Sequence, residues 1–236
     1  MKENTQTISQ SVRYILLIAS VFWAVYLTEW MWEQNWSHWV GYPRSKEGII
    51  GIFLSVWLHG DWMHLGSNTV AFIMLGIGLF VLYPALSEKV LWINLFLTGF
   101  GVWLFARSAY HIGASGWVYS LASFLFFSGI FRRDRRSLMI SFTIMFVYAG
   151  MLETIFPTEK AVLNRISWES HLIGGIVGAF MAFSFRKEVA DNSIYVVGED
   201  TNNGIDNVNY LDKNYQEGII PLETPNFVYK YKENGN

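Results

Sequence analysis

Residues 111–119 read His111-Ile112-Gly113-Ala114-Ser115-Gly116-Trp117-Val118-Tyr119 and open an apolar run. A serine set among small residues at such an entry has the makings of a nucleophile, but only with help. Its hydroxyl is weakly nucleophilic near neutral pH and needs an adjacent base to take the proton. Histidine is the usual choice, with an ordinary pKa of about 6.5. His171 stands in Glu169-Ser170-His171-Leu172-Ile173-Gly174-Gly175-Ile176-Val177-Gly178. On a helix His171, Gly174 and Gly178 share one face. Glycines on a membrane helix let a neighbouring backbone come close. That face is expected to bring His171 to the helix that begins near Ser115.

Acyl chemistry at Ser115 also needs donors for a developing oxyanion. The Ser115 N–H falls in a first helical turn, where N–H groups lack intrahelical acceptors. His64 and Asn68, four apart in His59-Gly60-Asp61-Trp62-Met63-His64-Leu65-Gly66-Ser67-Asn68, face one way and add two side-chain donors. Gly113 and Gly116 keep the chain slim around Ser115. Tyr119, one turn after Ser115, is placed to pack on the His171 ring.

Each piece has a plainer reading. Small residues at this spacing in membrane helices are mostly packing devices, and a His–Asn pair can simply cross-link helices. His59 reads as a structural partner that ties down the first loop. His111 stays open as an alternative base, although its loop constrains it. Glu169 precedes His171 by two residues and points elsewhere, so the chemistry reduces to a Ser–His pair without an acidic third member. There is no His-Glu-x-x-His and no pair of intramembrane aspartates on facing spans. The soluble Gly-x-Ser-x-Gly elbow does not fit either, because the second glycine follows Ser115 directly.

The elements that must position these residues belong in a bilayer. The 236 residues are 52% hydrophobic and 15% charged, with mean hydropathy +0.26, whereas a soluble domain carries about 25% charged residues. Many of the eleven tryptophans sit near the ends of apolar runs, as amphipathic rings do at the headgroup level. Net charge is −2 and no basic patch suggests nucleic acid. Without cysteine, disulfides and thiolate metal sites are excluded.

The pattern predicts an all-α polytopic membrane protein. A polar segment, 1–11, disordered or interfacial, precedes a six-helix membrane domain over 12–186. A polar tail, 187–236, is expected to be mostly disordered. Spans are expected near 12–32, 61–83, 90–105, 113–131, 138–155 and 168–185, the longer ones meeting the roughly 20 apolar residues a bilayer needs. The first run is long enough to be retained rather than cleaved. Residues 33–47 suggest an interfacial loop, and 48–58, too short to span, a re-entrant or buried piece.

Charge gives the orientation. Lys2, Arg13, Lys89, the Arg132–Arg136 turn, Arg186 and Lys187 fall on one side; Arg44, Lys46, Arg107, Lys160 and Arg165 fall on the other. The richer side, with both termini, is expected to be cytoplasmic. His64, Ser115 and His171 then start the second, fourth and sixth spans, at similar depth on the outer side. Scattered polar residues would not be expected to do that.

Taken together, His59 to Asn68, Gly113 to Gly116 with Tyr119, and His171 with Gly174 and Gly178 resemble the rhomboid family of intramembrane serine proteases, over roughly residues 45–185. The resemblance implies Ser115 as nucleophile and His171 as general base and acid. It implies an oxyanion site of His64, Asn68 and the Ser115 N–H beside Gly113, with Tyr119 stacked on His171. It also implies a water-filled cavity below the outer surface and a gate and cap around 138–167. The substrate would be another protein's transmembrane segment; no metal or cofactor is implied. The alternative is a rhomboid-like protein that binds such segments without cutting them. Some bacterial members carry a Trp-Arg pair in the first loop. Here that region reads Ile49-Ile50-Gly51, so the loop anchor is absent or differently built. With no transit peptide or seventh span, a bacterial plasma membrane is expected. Oligomeric state is left open.

Overall fold

The computed structural model describes residues 2–40, 42–132, 135–147, 150, 153–158 and 167–191. It is all-helical, with no strand among the described residues. Helix α1 spans Lys2–Met31. A chain of short turns follows: 3-10 turns at Trp36–Val40 and Glu47–Ile49, a single α-turn α2 at Gly51–Leu54, and a 3-10 turn at Ser55–Trp57. Then come α3 (Trp62–Leu82), α4 (Ser87–Phe105), α5 (Ser115–Arg132), α6 (Arg135–Val147), a 3-10 turn at Glu153–Ile155, α7 (Trp168–Ser184) and the short α8 (Arg186–Asp191).

Among the described residues three helices are long and apolar enough to cross a bilayer: Ser9–Met31, Trp62–Leu82 and Ser87–Phe105. Many of their large apolar side chains face outward, including Leu17, Val70, Met74 and Phe96. An outward apolar surface of this kind suits lipid rather than water. Helix α5 is different. Every residue from Ser115 to Leu121 is buried, because α3, α4, α6 and α7 all pack against it. Its first two turns, buried on all sides, belong at the centre of the protein. Its Trp117 satisfies the indole N–H by donating to the Leu91 carbonyl at 2.9 Å.

Helix α1 begins at Lys2, so the polar N-terminal segment is helical rather than disordered. Its polar residues include no glycine or proline, and extending an existing helix costs far less than nucleating one. Asp61 caps α3 by accepting the His64 N–H at 2.8 Å, the kind of N-cap that fixes where a helix starts. The expected span 138–155 is helical over Arg135–Val147, so part of the basic turn is drawn into α6; Glu153–Ile155 is a separate 3-10 turn. Residues 148, 149, 151, 152 and 159–166 of the expected gate and cap lie outside the described residues, as does the tail from 192 onward.

Residues 48–58 are half-buried: Gly48, Gly51, Ile52, Val56 and Leu58 face protein, while Ile49, Ile50, Phe53 and Leu54 face outward. Gly99 of α4 lies so close to the Ile52 carbonyl that a β-carbon there would overlap it. The first loop has an anchor of its own. Arg44, at φ 61°, donates its backbone N–H to the Trp103 carbonyl at 2.9 Å. Its guanidinium donates to the carbonyls of Leu104 and Ala106 at 3.3 and 2.6 Å. These are end carbonyls of α4, which lack intrahelical donors. Trp103 returns a bond to the Ser45 carbonyl at 3.0 Å.

Candidate active site

The loop before α5 is held in place from the first loop. Gly113 donates its N–H to the Ser55 carbonyl at 2.9 Å. The Ala114 N–H points at His59 Nε2 at 3.4 Å, while His59 Nδ1 lies 3.3 Å from the Trp57 carbonyl. A carbonyl can only accept, so this pairing puts the ring proton on Nδ1 and leaves Nε2 as acceptor. Burial, followed by the neighbouring His64, pushes the His59 pKa down to about 4.

Gly113 has φ +107°, a conformation that favours glycine. A β-carbon there would overlap His64 Cε1 and lie 3.5 Å from Asn68 Nδ2. The glycine thus leaves room for two polar side chains from α3 beside the start of α5. Asn68 is buried, and its Nδ2 has no hydrogen-bond partner among the described residues. The His64 ring meets the His59 ring edge-on at 5.2 Å. Ser115, with 9% exposure, opens α5, and neither its N–H nor its hydroxyl has a hydrogen-bond partner among the described residues. A buried donor without a partner, as at Asn68 Nδ2, is rare in folded proteins and asks for an explanation.

Helix α7 brings His171 to this helix. A β-carbon on Gly174 would overlap the Gly116 carbonyl oxygen, and one on Gly178 would overlap the Ser120 carbonyl oxygen. The two backbones touch along successive turns, and Ser123 Oγ donates to the Gly175 carbonyl at 2.6 Å. The His171 ring lies flat on Tyr119, with centroids 4.2 Å apart and planes 6° apart.

Thr154, on the 3-10 turn after α6, had no signal in the sequence. Its carbonyl and its Oγ1 both lie 3.1 Å from His171 Nδ1, and its Oγ1 also bonds the Tyr119 hydroxyl. Among the described residues no hydrogen bond joins Ser115 to His171.

Glu169 points away from His171, to Arg107, whose guanidinium Nη1 contacts both carboxylate oxygens at 2.7 Å. His111 is occupied as well: Nε2 faces the Arg107 carbonyl at 2.9 Å and Nδ1 faces Ser167 Oγ at 2.6 Å. With both ring nitrogens engaged, it makes a poor base. Burial lowers its pKa. Among the described residues no three His, Asp or Glu side chains group as a metal site. A cavity of about 680 Å³, lined in part by Tyr26, Glu29, His59, Gly60 and Ile112, reaches the loop next to Gly113.

These features define an all-helical membrane protein with a polar serine–histidine region enclosed by its helices. The chain belongs to the rhomboid family, which generally comprises intramembrane serine proteases: residues 46–188 match the Rhomboid domain. It is 31% identical over 150 residues to uncharacterized proteins of Mycobacterium tuberculosis and Mycobacterium bovis, covering 60% of this chain and 61% of theirs. It is 32% identical over 145 residues to an uncharacterized protein of Mycobacterium leprae, covering 56% and 55%. The chain therefore spans less than two thirds of the length of these relatives.

Proposed function

We propose that this protein is an intramembrane serine endopeptidase that cuts peptide bonds in or beside transmembrane segments of other proteins. The observation that carries the reading is the flat stack of His171 on Tyr119, one turn after Ser115 on the helix that α7 touches backbone to backbone.

In this reading, His171 Nε2 takes the Ser115 proton as Oγ attacks the scissile carbonyl. The oxyanion is received by the Ser115 N–H, Asn68 Nδ2 and His64, the first two of which lack partners among the described residues. Preorganised donors of this sort are worth about 3 kcal/mol each in other hydrolases. His171 then gives the proton to the leaving amine, and water hydrolyses the acyl-enzyme by the same path in reverse. The cavity beside His59 and Ile112 offers water a way in. The reading takes six spans, both termini in the cytoplasm and the site toward the outer side of a bacterial plasma membrane. It calls for no metal or cofactor.

One observation favours the second reading, a rhomboid-like binder that does not cut: no hydrogen bond joins Ser115 to His171. Catalytic hydrogen bonds are often long without substrate and tighten in the complex, so the protease reading stands first. The test is labelling by a serine-directed fluorophosphonate, with cleavage of a transmembrane substrate measured alongside. Labelling and cleavage by wild type but not by Ser115→Ala support the protease. A folded wild type that binds the substrate and leaves it intact supports the binder.

A further inference from the structure

We infer that Thr154 is the positioning residue for His171, holding the ring in the tautomer and plane that leave Nε2 bare toward Ser115. The inference rests on the protease reading and supplies what that reading lacks, a group to orient the base. A neutral imidazole carries one proton, and which nitrogen holds it is set by the bond the other makes. The Thr154 carbonyl lies 3.1 Å from His171 Nδ1 and can only accept, so it places the proton on Nδ1. The hydroxyl of the same residue lies 3.1 Å from Nδ1 and bonds the Tyr119 hydroxyl. Thr154 therefore holds both partners of the stack, His171 from its edge and Tyr119 from its tip. A carbonyl takes the place that a carboxylate fills in a Ser–His–Asp triad. Glu169 is unavailable for that place, because Arg107 holds it.

The side chain and the carbonyl make separable contributions. Thr154→Val keeps the shape and the carbonyl but removes the hydroxyl that locks ring to ring. Thr154→Ser keeps the hydroxyl. The expected loss in kcat for Thr154→Val is about 10- to 100-fold with KM nearly unchanged. That is well short of the roughly 10⁴-fold lost when a triad histidine is held in the wrong tautomer, since the carbonyl remains. Thr154→Ser should recover most of the rate. Tyr119→Phe, which removes the other end of the hydroxyl link, should lose kcat in the same way and not add to Thr154→Val.

The deciding readout does not depend on turnover. Protein labelled with ¹⁵N-histidine, in detergent, gives an imidazole spectrum in which the His171 signals are those that vanish in His171→Gln. Nδ1–H with a bare Nε2 in wild type, Thr154→Ser and Thr154→Val, with the His171 signals shifted and broadened only in Thr154→Val, where the carbonyl keeps the tautomer but the ring loses its tie to Tyr119, is the expected result. A proton on Nε2 in wild type overturns the proposal. So does a Thr154→Val spectrum and kcat both matching wild type. A wild type that never cuts overturns the protease reading instead, and the tautomer spectrum still decides the role of Thr154.

Discussion

Gly174 of α7 sits against the Gly116 carbonyl of α5 so closely that a β-carbon would overlap the oxygen and come within 3.0 Å of the carbonyl carbon. The contact is backbone to backbone, so no rotamer change relieves it. Gly178 repeats it one turn later against Ser120. The two contacts set the spacing of the helices, and through it the stack of His171 on Tyr119.

Gly174→Val should therefore lower both the thermal midpoint in detergent and the activity. Overpacking a tight site costs typically about 1–3 kcal/mol, and a rigid backbone neighbour puts this one at the upper end. Gly175→Ala is the control. A β-carbon at 175 meets nothing within 4 Å, so it should be neutral or slightly stabilising through helix propensity. If Gly174→Val melts with wild type, the helices do not touch there.

Ser115→Ala should abolish cleavage and fluorophosphonate labelling, a loss on the order of 10⁴-fold or more. It should leave stability within about 0.5 kcal/mol, because the hydroxyl makes no hydrogen bond among the described residues. His171→Ala should be as inactive but less stable, since it also gives up the Tyr119 stack and the Thr154 contact. Turnover near wild type in either variant would sink the Ser–His assignment.

Asn68→Ala separates an oxyanion donor from a structural cross-link. A buried amide that bonded a neighbouring helix would cost about 1 kcal/mol of stability or more when removed. Asn68 Nδ2 has no such partner among the described residues. The variant should keep its melting temperature while kcat falls about 100-fold, the usual loss of one oxyanion donor. A drop in stability with kcat unchanged would make Asn68 a packing residue.

The sequence carried the parts of the site that depend on side-chain type and helical spacing. His171, Gly174 and Gly178 share a face because helical periodicity puts them there, and His64 and Asn68 face one way for the same reason. Thr154 was not legible. Its contribution runs partly through a backbone carbonyl, which every residue has, and it lies on a 3-10 turn with no periodicity of its own. Arg107 and Glu169 were likewise invisible as a pair, being 62 residues apart. Spacing alone said only that Glu169 faces away from His171. The Arg44 anchor was hidden for a related reason: its partners are the end carbonyls of α4, not particular side chains.

Arg107 and Glu169 tie the loop before α5 to the first turn of α7, where a carboxylate also faces the positive end of the helix. The side chains are 42% and 8% exposed. Breaking a fully buried pair costs about 3–5 kcal/mol, while exposed pairs are worth about 0–1. This half-exposed pair falls between, so Arg107→Met should cost about 1–2 kcal/mol. Thermal unfolding of Arg107→Met, Glu169→Gln and the double variant would isolate the pair. Additive single effects would mean that the bridge contributes nothing.

Acid should weaken the fold through His59 and His111. His59 is pushed down to about 4, by burial first and then by His64; the Trp57 carbonyl and Asp61 oppose the shift. His111 is also lowered, by burial first, with Arg107 and Arg44 in the same direction and the Arg107 carbonyl and Glu169 against it. In the unfolded chain both titrate near 6.5. Between that value and the folded one, the unfolded chain binds protons that the native protein does not, so stability rises with pH across the window. It is fully present above about 6.5 and is lost as pH falls toward 4. For His59 alone the loss by pH 5 is about 2 kcal/mol. Thermal unfolding in detergent at pH 7 and pH 5 reads it directly, with His59→Gln as the test of origin: glutamine can keep both hydrogen bonds but cannot take the proton. The midpoint should drop between pH 7 and 5 in wild type and drop less in His59→Gln. Equal drops in the two would assign the acid sensitivity to other groups.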